Sequence, residues 1–129
     1  MKNLLVVTAL LETITGVALI VSPALPASLL FGAPIDTAVG LILARIAGAA
    51  LLALGVACWL ARDDVRSGAA RGLVAAMLLY NAAAVAALVY AALGFTLAGI
   101  ALWPAVLLHL ALAAWCIATF AQGKAGAEQ

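Results

Sequence analysis

The sequence predicts an all-α protein, a four-transmembrane-helix bundle with both termini in the cytoplasm. Of the 129 residues, 69% are hydrophobic and 9% are charged, whereas soluble domains are about 45–50% apolar and about 25% charged. The mean hydropathy is +1.30. Four apolar runs approach or exceed the ~20 residues that a helix needs to cross a hydrocarbon core of about 30 Å. We therefore expect a single compact membrane domain, with no room for a soluble catalytic domain.

The predicted domain covers residues 1–122, and residues 123–129 are predicted to form a polar C-terminal tail. The four predicted helices cover about residues 4–21, 37–61, 72–93 and 100–121. Proline, charge and glycine separate them. The segment Ser22–Pro26 ends the first helix, because proline withholds a backbone donor. Arg62-Asp63-Asp64 ends the second helix, and Gly94 and Gly99 flank the turn after the third.

The first apolar run has a second interpretation as a cleavable signal peptide, because Lys2 precedes it and Ala27 follows a weak cleavage pattern. The run from Leu4 to Val21 is long for the apolar part of a signal peptide, and Glu12 lies at its centre. We predict a retained first helix.

The connection over residues 22–36 contains Pro23, Pro26 and Pro34 together with the apolar residues Leu29, Leu30 and Phe31. Apolar residues in a short external segment favour a half-turn that lies in the interface or caps the bundle. We predict a packed connector, and a lid or re-entrant plug is the functional alternative.

The lysines and arginines predict the orientation. All but one lie on one side of the four-pass arrangement: Lys2, Arg62, Arg66, Arg71 and Lys124. The loops around residues 22–36 and 94–99 contain neither residue type. The positive-inside rule then predicts cytoplasmic termini and a cytoplasmic 62–71 loop.

Each predicted helix carries one strongly polar residue near its middle: Glu12, Arg45, Asn81 and His109. A polar or ionisable group is costly in lipid and marks a functional site by default. The helical rise places each of them about 12–13 Å from one edge of the bilayer, so all four can share one layer. With Tyr80, which is adjacent to Asn81, they are our candidates for ligand or proton binding.

The pairing within this cluster is open from the sequence. Side chains lean toward the N-terminus of their own helix, which favours the pairs Glu12–Asn81 and Arg45–His109. Charge favours Glu12–Arg45, because an unpaired charge in hydrocarbon is strongly penalised. Each residue also has a purely structural interpretation, as an ion pair or as hydrogen-bonding glue between helices.

Small residues accompany the polar ones at helical spacing. Gly40, Ala44 and Gly48 form a ridge beside Arg45, and Ala105 and Ala113 flank His109. Such ridges predict close helix contacts.

The sequence contains no phosphate-binding loop, nucleophile elbow or metal-ligand spacing, so we expect no metal, no cofactor and no ATP-driven chemistry. Cys58 and Cys116 do not form a CxxC pair and lie at ends predicted to be cytoplasmic, where thiols stay reduced. No basic stripe indicates nucleic acid. The expected partner is the lipid bilayer, with a homo-oligomer or a membrane partner subunit as a further possibility.

Three stretches carry a resemblance to known proteins: Ala44–Arg62 (ARIAGAALLALGVACWLAR), Gly72–Asn81 (GLVAAMLLYN) and Leu102–Cys116 (LWPAVLLHLALAAWC). They resemble a group of small four-helix bacterial inner-membrane proteins that are DoxX-like in layout. The resemblance implies a fold and a location, and no activity. Small multidrug exporters share only a glutamate in the first helix, Glu12.

Two classes of function follow. The leading hypothesis is a binding or transport protein whose polar cluster handles a proton, an ion or a small amphiphile. The competing hypothesis is a structural or assembly subunit whose polar residues only fix helix packing. An enzyme that acts on a lipid or quinone, with Glu12 and His109 as acid and base, ranks third.

Overall fold

A computed structural model describes residues 1–125, and these form five α-helices. The helices are α1 (Lys2–Val21), α2 (Ala24–Phe31), α3 (Ala38–Ala61), α4 (Gly68–Gly94) and α5 (Leu102–Ala125). Four of them, α1, α3, α4 and α5, are long and apolar enough to cross a membrane. The predicted all-helical class and the four candidate spans are confirmed.

Side-chain caps decide where two of the long helices begin. The Thr37 side chain accepts a hydrogen bond from the Gly40 amide at 3.1 Å at the start of α3, and Ser67 accepts one from the Ala70 amide at 3.1 Å at the start of α4. Such caps satisfy amides that have no partner within the helix. The Ser67 cap starts α4 four residues before the predicted position 72.

Helix α5 continues to Ala125, which is beyond the predicted end at residue 121 and within the segment predicted to be a polar tail. The rest of that predicted tail, residues 126–129, lies outside the described residues.

The connection between the first two spans is itself helical. Pro23 caps α2, and Pro26 lies in its first turn, where proline is tolerated because the amide it lacks would have no partner there. The last helical residue is Phe31, and the capping residue after it, Gly32, has a left-handed backbone with a φ of 68°. The prolines that end α1 thus also begin α2.

The four long helices pack as two close pairs, α1 with α3 and α4 with α5, and α2 lies against α1 and α5. Glycines bring the backbones of α1 and α3 together. A Cβ atom on Gly16 would lie 2.7 Å from the Gly48 carbonyl oxygen, and one on Gly55 would lie 3.0 Å from the Ala9 carbonyl oxygen. Gly48 of the predicted ridge therefore forms a close contact with α1, as the small-residue spacing predicts, whereas Gly40 lies beside Ile35 and Thr37.

The bundle is packed at one end. Its core there combines the N-terminal halves of α1 and α4 with the end of α3 and the middle of α5: Leu4, Leu5, Ala9, Cys58, Val74, Met77, Leu112 and Cys116. Each of these side chains is at most 4% exposed. A second, smaller cluster of Leu88, Leu102 and Val106 lies at the opposite end, against Leu30 and Phe31 of α2.

Charged side chains surround the packed end. Lys2 Nζ lies 2.6 Å from Asp63 Oδ1, and this ion pair joins the start of α1 to the connection after α3. The Lys2 ammonium hydrogen-bonded to Asp63 holds the pKa of that carboxyl below its usual range. Arg62 stacks on the Trp59 ring at 4.1 Å and also approaches Asp63. The start of α1 and the 62–71 loop therefore lie at the same end of the bundle.

Candidate functional site

A partly enclosed cavity of about 620 Å³ lies between the two helix pairs, next to the packed core. All five helices contribute to its lining: Leu11, Glu12, Thr15, Leu19, Pro26, Leu29, Leu30, Phe31, Ala47, Leu51, Tyr80, Ala84, Ala87, Leu88, Ala101, Ala105, Leu108, His109 and Leu112. Most of these side chains are apolar. An apolar pocket of roughly 300–1,000 Å³ with a few convergent polar groups is typical of a small-molecule site.

The cavity occupies the half of the bundle that the core leaves unfilled. Its lining runs from Leu112 of α5 to Ala101, just before that helix, which corresponds to about 16 Å at 1.5 Å per residue. Leu112 also belongs to the packed core and forms the floor. Of the polar lining residues, Glu12, Tyr80 and His109 lie near that floor, about one helical turn from core residues, and Thr15 lies about one turn farther along α1. The apolar residues of α2 lie at the other end.

The loop between α4 and α5 holds α2 over the cavity. The Gly99 amide donates to the Leu30 carbonyl at 3.1 Å, and the Ala101 amide donates to the Leu29 carbonyl at 2.8 Å. These bonds satisfy carbonyl groups at the end of α2 that have no partner within the helix. A Cβ atom on Gly99 would overlap the Leu29 carbonyl oxygen. Only glycine allows this close approach, so the loop and α2 form one cover.

Glu12 is the least accessible charged residue of the predicted cluster, at 4% exposure. Over residues 1–122, whose side chains the structure describes, no donor lies within hydrogen-bonding distance of its carboxylate. Among those same residues, no fully enclosed side-chain nitrogen or oxygen lacks a partner. The Glu12 oxygens are therefore at the cavity surface, and the cavity is where they can meet a ligand.

Asn81 orients His109. The Asn81 amide nitrogen donates to the Met77 carbonyl at 2.7 Å, which leaves its Oδ1 as the acceptor. His109 Nδ1 lies 2.8 Å from that oxygen, so Nδ1 carries the proton and Nε2 of the neutral ring is an acceptor. No group in the described part of the chain is bonded to Nε2. The hydrogen bond thus joins α4 to α5 and leaves one nitrogen available for a ligand.

Tyr80 completes the group. Its ring meets the His109 ring edge to face, with centroids 5.7 Å apart. Its hydroxyl has no hydrogen-bond partner among the described residues, and Tyr80 lines the same cavity. Glu12, Tyr80 and His109 therefore each present a polar group without a protein partner to one cavity. Within residues 1–125, no three His, Cys, Asp or Glu side chains come close enough together to hold a metal ion.

Arg45 is separate from this group. It is exposed on α3, and its Nε donates to the Ile20 carbonyl at 3.2 Å. Ile20 is in the last turn of α1, where carbonyls lack intrahelical partners and a positive charge is favourable. Arg45 therefore caps α1.

The three pairings that the sequence suggested for the cluster are wrong for the described residues. Asn81 pairs with His109, Arg45 pairs with the α1 terminus, and Glu12 has no protein partner. Helical rise gives the depth of a side chain but not the rotation of its helix about its axis, and rotation decides which neighbour it meets.

Small residues line much of the cavity. Ala84 and Ala105 both lie in its lining, and Ala105 also packs against the cluster of Leu88, Leu102 and Val106. Alanine on two facing helices produces either contact or space, according to the distance between the helices. The high alanine content of the sequence is therefore compatible with this cavity. It does not by itself indicate whether two helices are in contact or have space between them.

These features define the class of the protein: an all-helical chain with four candidate membrane spans and a partly enclosed internal cavity that carries three unpartnered polar groups. No family model, no curated protein and no solved structure matches the chain.

The Asn81–His109 bond gives a direct prediction. We expect Asn81→Leu to destabilise the bundle by about 1–2 kcal/mol, in the range of hydrogen bonds between membrane helices. The imidazole should also lose its fixed tautomer, because the acceptor for Nδ1 is removed. Nitrogen NMR of the single histidine measures the second effect, and denaturation in detergent measures the first. Asn3→Leu, at an exposed position, is the matched control. An unchanged histidine spectrum in Asn81→Leu would contradict the assigned bond.

Proposed function

We propose that this chain is a small multi-pass membrane protein that binds a small amphiphile inside its helical bundle. The supporting observation is the cavity next to the core, in which Glu12, Tyr80 and His109 present polar groups that no described residue satisfies. A buried polar group without a partner costs about 1–3 kcal/mol. A ligand that satisfies these groups offsets that cost.

The shape of the cavity favours an amphiphile over a bare ion or proton. Polar groups cluster near the floor of the cavity, which is about 16 Å long in all, and apart from Thr15 the rest of its lining is leucine, alanine, proline and phenylalanine. A bare ion would leave the apolar walls empty. A molecule with a polar end near Glu12 and an apolar body toward α2 uses both parts.

The proposed setting is the inner membrane of a bacterial cell, with both termini in the cytoplasm. The basic residues Lys2, Arg62, Arg66 and Arg71 support this orientation, because the positive-inside rule places them on the cytoplasmic side. The packed end of the bundle then faces the cytoplasm, and α2 lies at the outer leaflet. This four-helix layout is the one that the resemblance to DoxX-like proteins implies.

A bulky residue in the cavity tests the proposal. We expect Ala84→Phe, on the cavity wall, to prevent binding, because its ring would fill space that the ligand needs. Ala83→Phe is the matched control, since Ala83 is exposed and does not line the cavity. The probe is 1-decanol, titrated into nanodiscs of zwitterionic lipid that contain the protein with its single histidine labelled with 15N.

The expected result is a saturable shift of the His109 ring resonances in the wild type and in Ala83→Phe, and no saturable shift in Ala84→Phe. Equal responses in all three proteins would show that decanol acts through the bilayer, and the proposed function would be wrong.

The hydrogen bond between Asn81 and His109 favours a second candidate, a structural or assembly subunit. In that case the polar residues fix the positions of α4 and α5, and the cavity has no ligand. The two candidates predict opposite stability changes when Glu12 is replaced, because only a structural role requires the carboxylate for folding.

A further inference from the structure

The charge of the cavity narrows the class of ligand. Of the lining residues, Glu12 is the one with an acidic side chain and His109 the one with a basic side chain. Arg45 is engaged at the end of α1. The cations Lys2 and Arg62 are at the packed end, where they pair with Asp63. Within the described residues, the Glu12 carboxylate therefore has no counter-charge of its own.

The hydrogen-bonding groups near the floor of the cavity are mainly acceptors. The Glu12 carboxylate accepts, His109 Nε2 accepts because Nδ1 carries the ring proton, and the Tyr80 oxygen accepts as well as donates. Three acceptors thus line one cavity near its floor. A primary ammonium group has three N–H donors, no acceptor and a positive charge. Hydrogen bonds from an ammonium to a carboxylate are about twice as strong as neutral ones.

We propose that the occupant of this cavity is a primary aliphatic amine, bound as its ammonium ion with the nitrogen near Glu12 and the alkyl chain along the α2 side. The inference rests on the proposed function, since it names the ligand class of the same cavity. An alcohol of the same chain supplies one donor and no charge. A carboxylate would place a second negative charge beside Glu12, where like charges repel.

Three probes that share the same ten-carbon chain and differ only in the polar group isolate the contribution of that group to binding affinity. The probes are decylammonium, 1-decanol and decanoate, titrated against the 15N resonances of His109 in zwitterionic nanodiscs. We expect decylammonium to bind about tenfold or more tightly than decanol, in line with the strength of hydrogen bonds to charged groups. Decanoate should bind most weakly. The shift of the His109 resonances in Ala84→Phe is the background that each probe produces by partitioning into the bilayer.

Glu12→Gln tests the role of the carboxylate. This variant should bind decylammonium about tenfold to hundredfold more weakly and decanol at most a fewfold more weakly, because only the ammonium loses an ion pair. Binding of decanol also shows that the variant is folded. Tyr80→Phe should weaken decylammonium binding by a smaller factor, because it removes one neutral acceptor. Tyr90→Phe is the matched control, since Tyr90 is 64% exposed and does not line the cavity.

The outcomes separate the two proposals. Saturable binding of decanol with no preference for decylammonium, or a preference that survives in Glu12→Gln, would overturn the amine assignment and leave the amphiphile cavity in place. Failure of all three probes to shift His109 would overturn both. A preference for decylammonium that is lost in Glu12→Gln and kept in Tyr90→Phe would support the assignment.

Discussion

Adding one methyl group at Gly16 is expected to destabilise the bundle by about 3 kcal/mol, the upper part of the usual range for overpacking. A Cβ atom there would lie 2.7 Å from the carbonyl oxygen of Gly48 and 2.7 Å from the amide nitrogen of Leu52. Both are backbone atoms within α3, so no side chain can rotate away. The helices would have to separate along the closest interface of the protein.

Gly72→Ala is the control for this prediction. Nothing lies within 4 Å of a Cβ atom at Gly72, which is also within a helix. There the substitution should be neutral or stabilising by up to about 1 kcal/mol, because alanine has the higher helix propensity. Unfolding of purified Gly16→Ala and Gly72→Ala in mixed micelles of increasing denaturing detergent measures both. Equal stability of the two variants would show that α1 and α3 are farther apart than described here.

Replacing Glu12 by leucine is expected to stabilise the ligand-free bundle by about 1 kcal/mol, because the carboxyl has no protein partner and faces mostly apolar cavity walls. Leucine has a similar bulk and suits the apolar walls around it. The same substitution should abolish the preference for decylammonium. A stability gain with a loss of function is the usual result when a residue is retained for binding at the expense of folding.

The two candidate functions differ in the sign of this stability change. If the carboxylate of Glu12 is instead required for folding or assembly, its removal lowers the stability of the bundle. The measurement is the same detergent unfolding, carried out without added amphiphile, and Glu12→Gln serves as the isosteric comparison. A Glu12→Leu protein that is less stable than the wild type would favour the structural subunit and count against the binding site.

The general fold could be predicted from the sequence because hydrophobicity and length are properties of each segment alone. Four runs of about 20 apolar residues predict four candidate spans whatever their neighbours are. Helix ends are harder. The start of α4 depends on the hydroxyl of Ser67, which reaches back to the Ala70 amide, and a sequence reading that weighs hydropathy alone places that start four residues too late.

The sequence indicates which polar residues to consider for the candidate site, but not which of them contact one another. Glu12, Tyr80 and His109 line one cavity, and Asn81 orients His109, whereas Arg45 is outside the cavity at the end of α1. All of these are polar residues in apolar helices, which is why the sequence singles them out. Which of them meet depends on helix rotation, and rotation is set by packing such as the contact between Gly16 and Gly48.

The sequence gives only a weak indication that α2 forms part of the cavity wall. Leu29, Leu30 and Phe31 are conspicuous as apolar residues in a connection rich in proline. Their position over the cavity depends on two hydrogen bonds from the loop around Gly99, about 70 residues later in the chain. No local pattern contains that long-range pairing.

The packed floor beneath the cavity has a thermodynamic consequence. Leu4, Leu5, Val74 and Met77 are each at most 2% exposed, so the packed core separates the cavity from that end of the bundle. A ligand bound as proposed would therefore equilibrate without crossing the core, and a concentration gradient across the core would not change its occupancy. Under the proposed function, this conformation binds a ligand and does not carry it from one side of the core to the other.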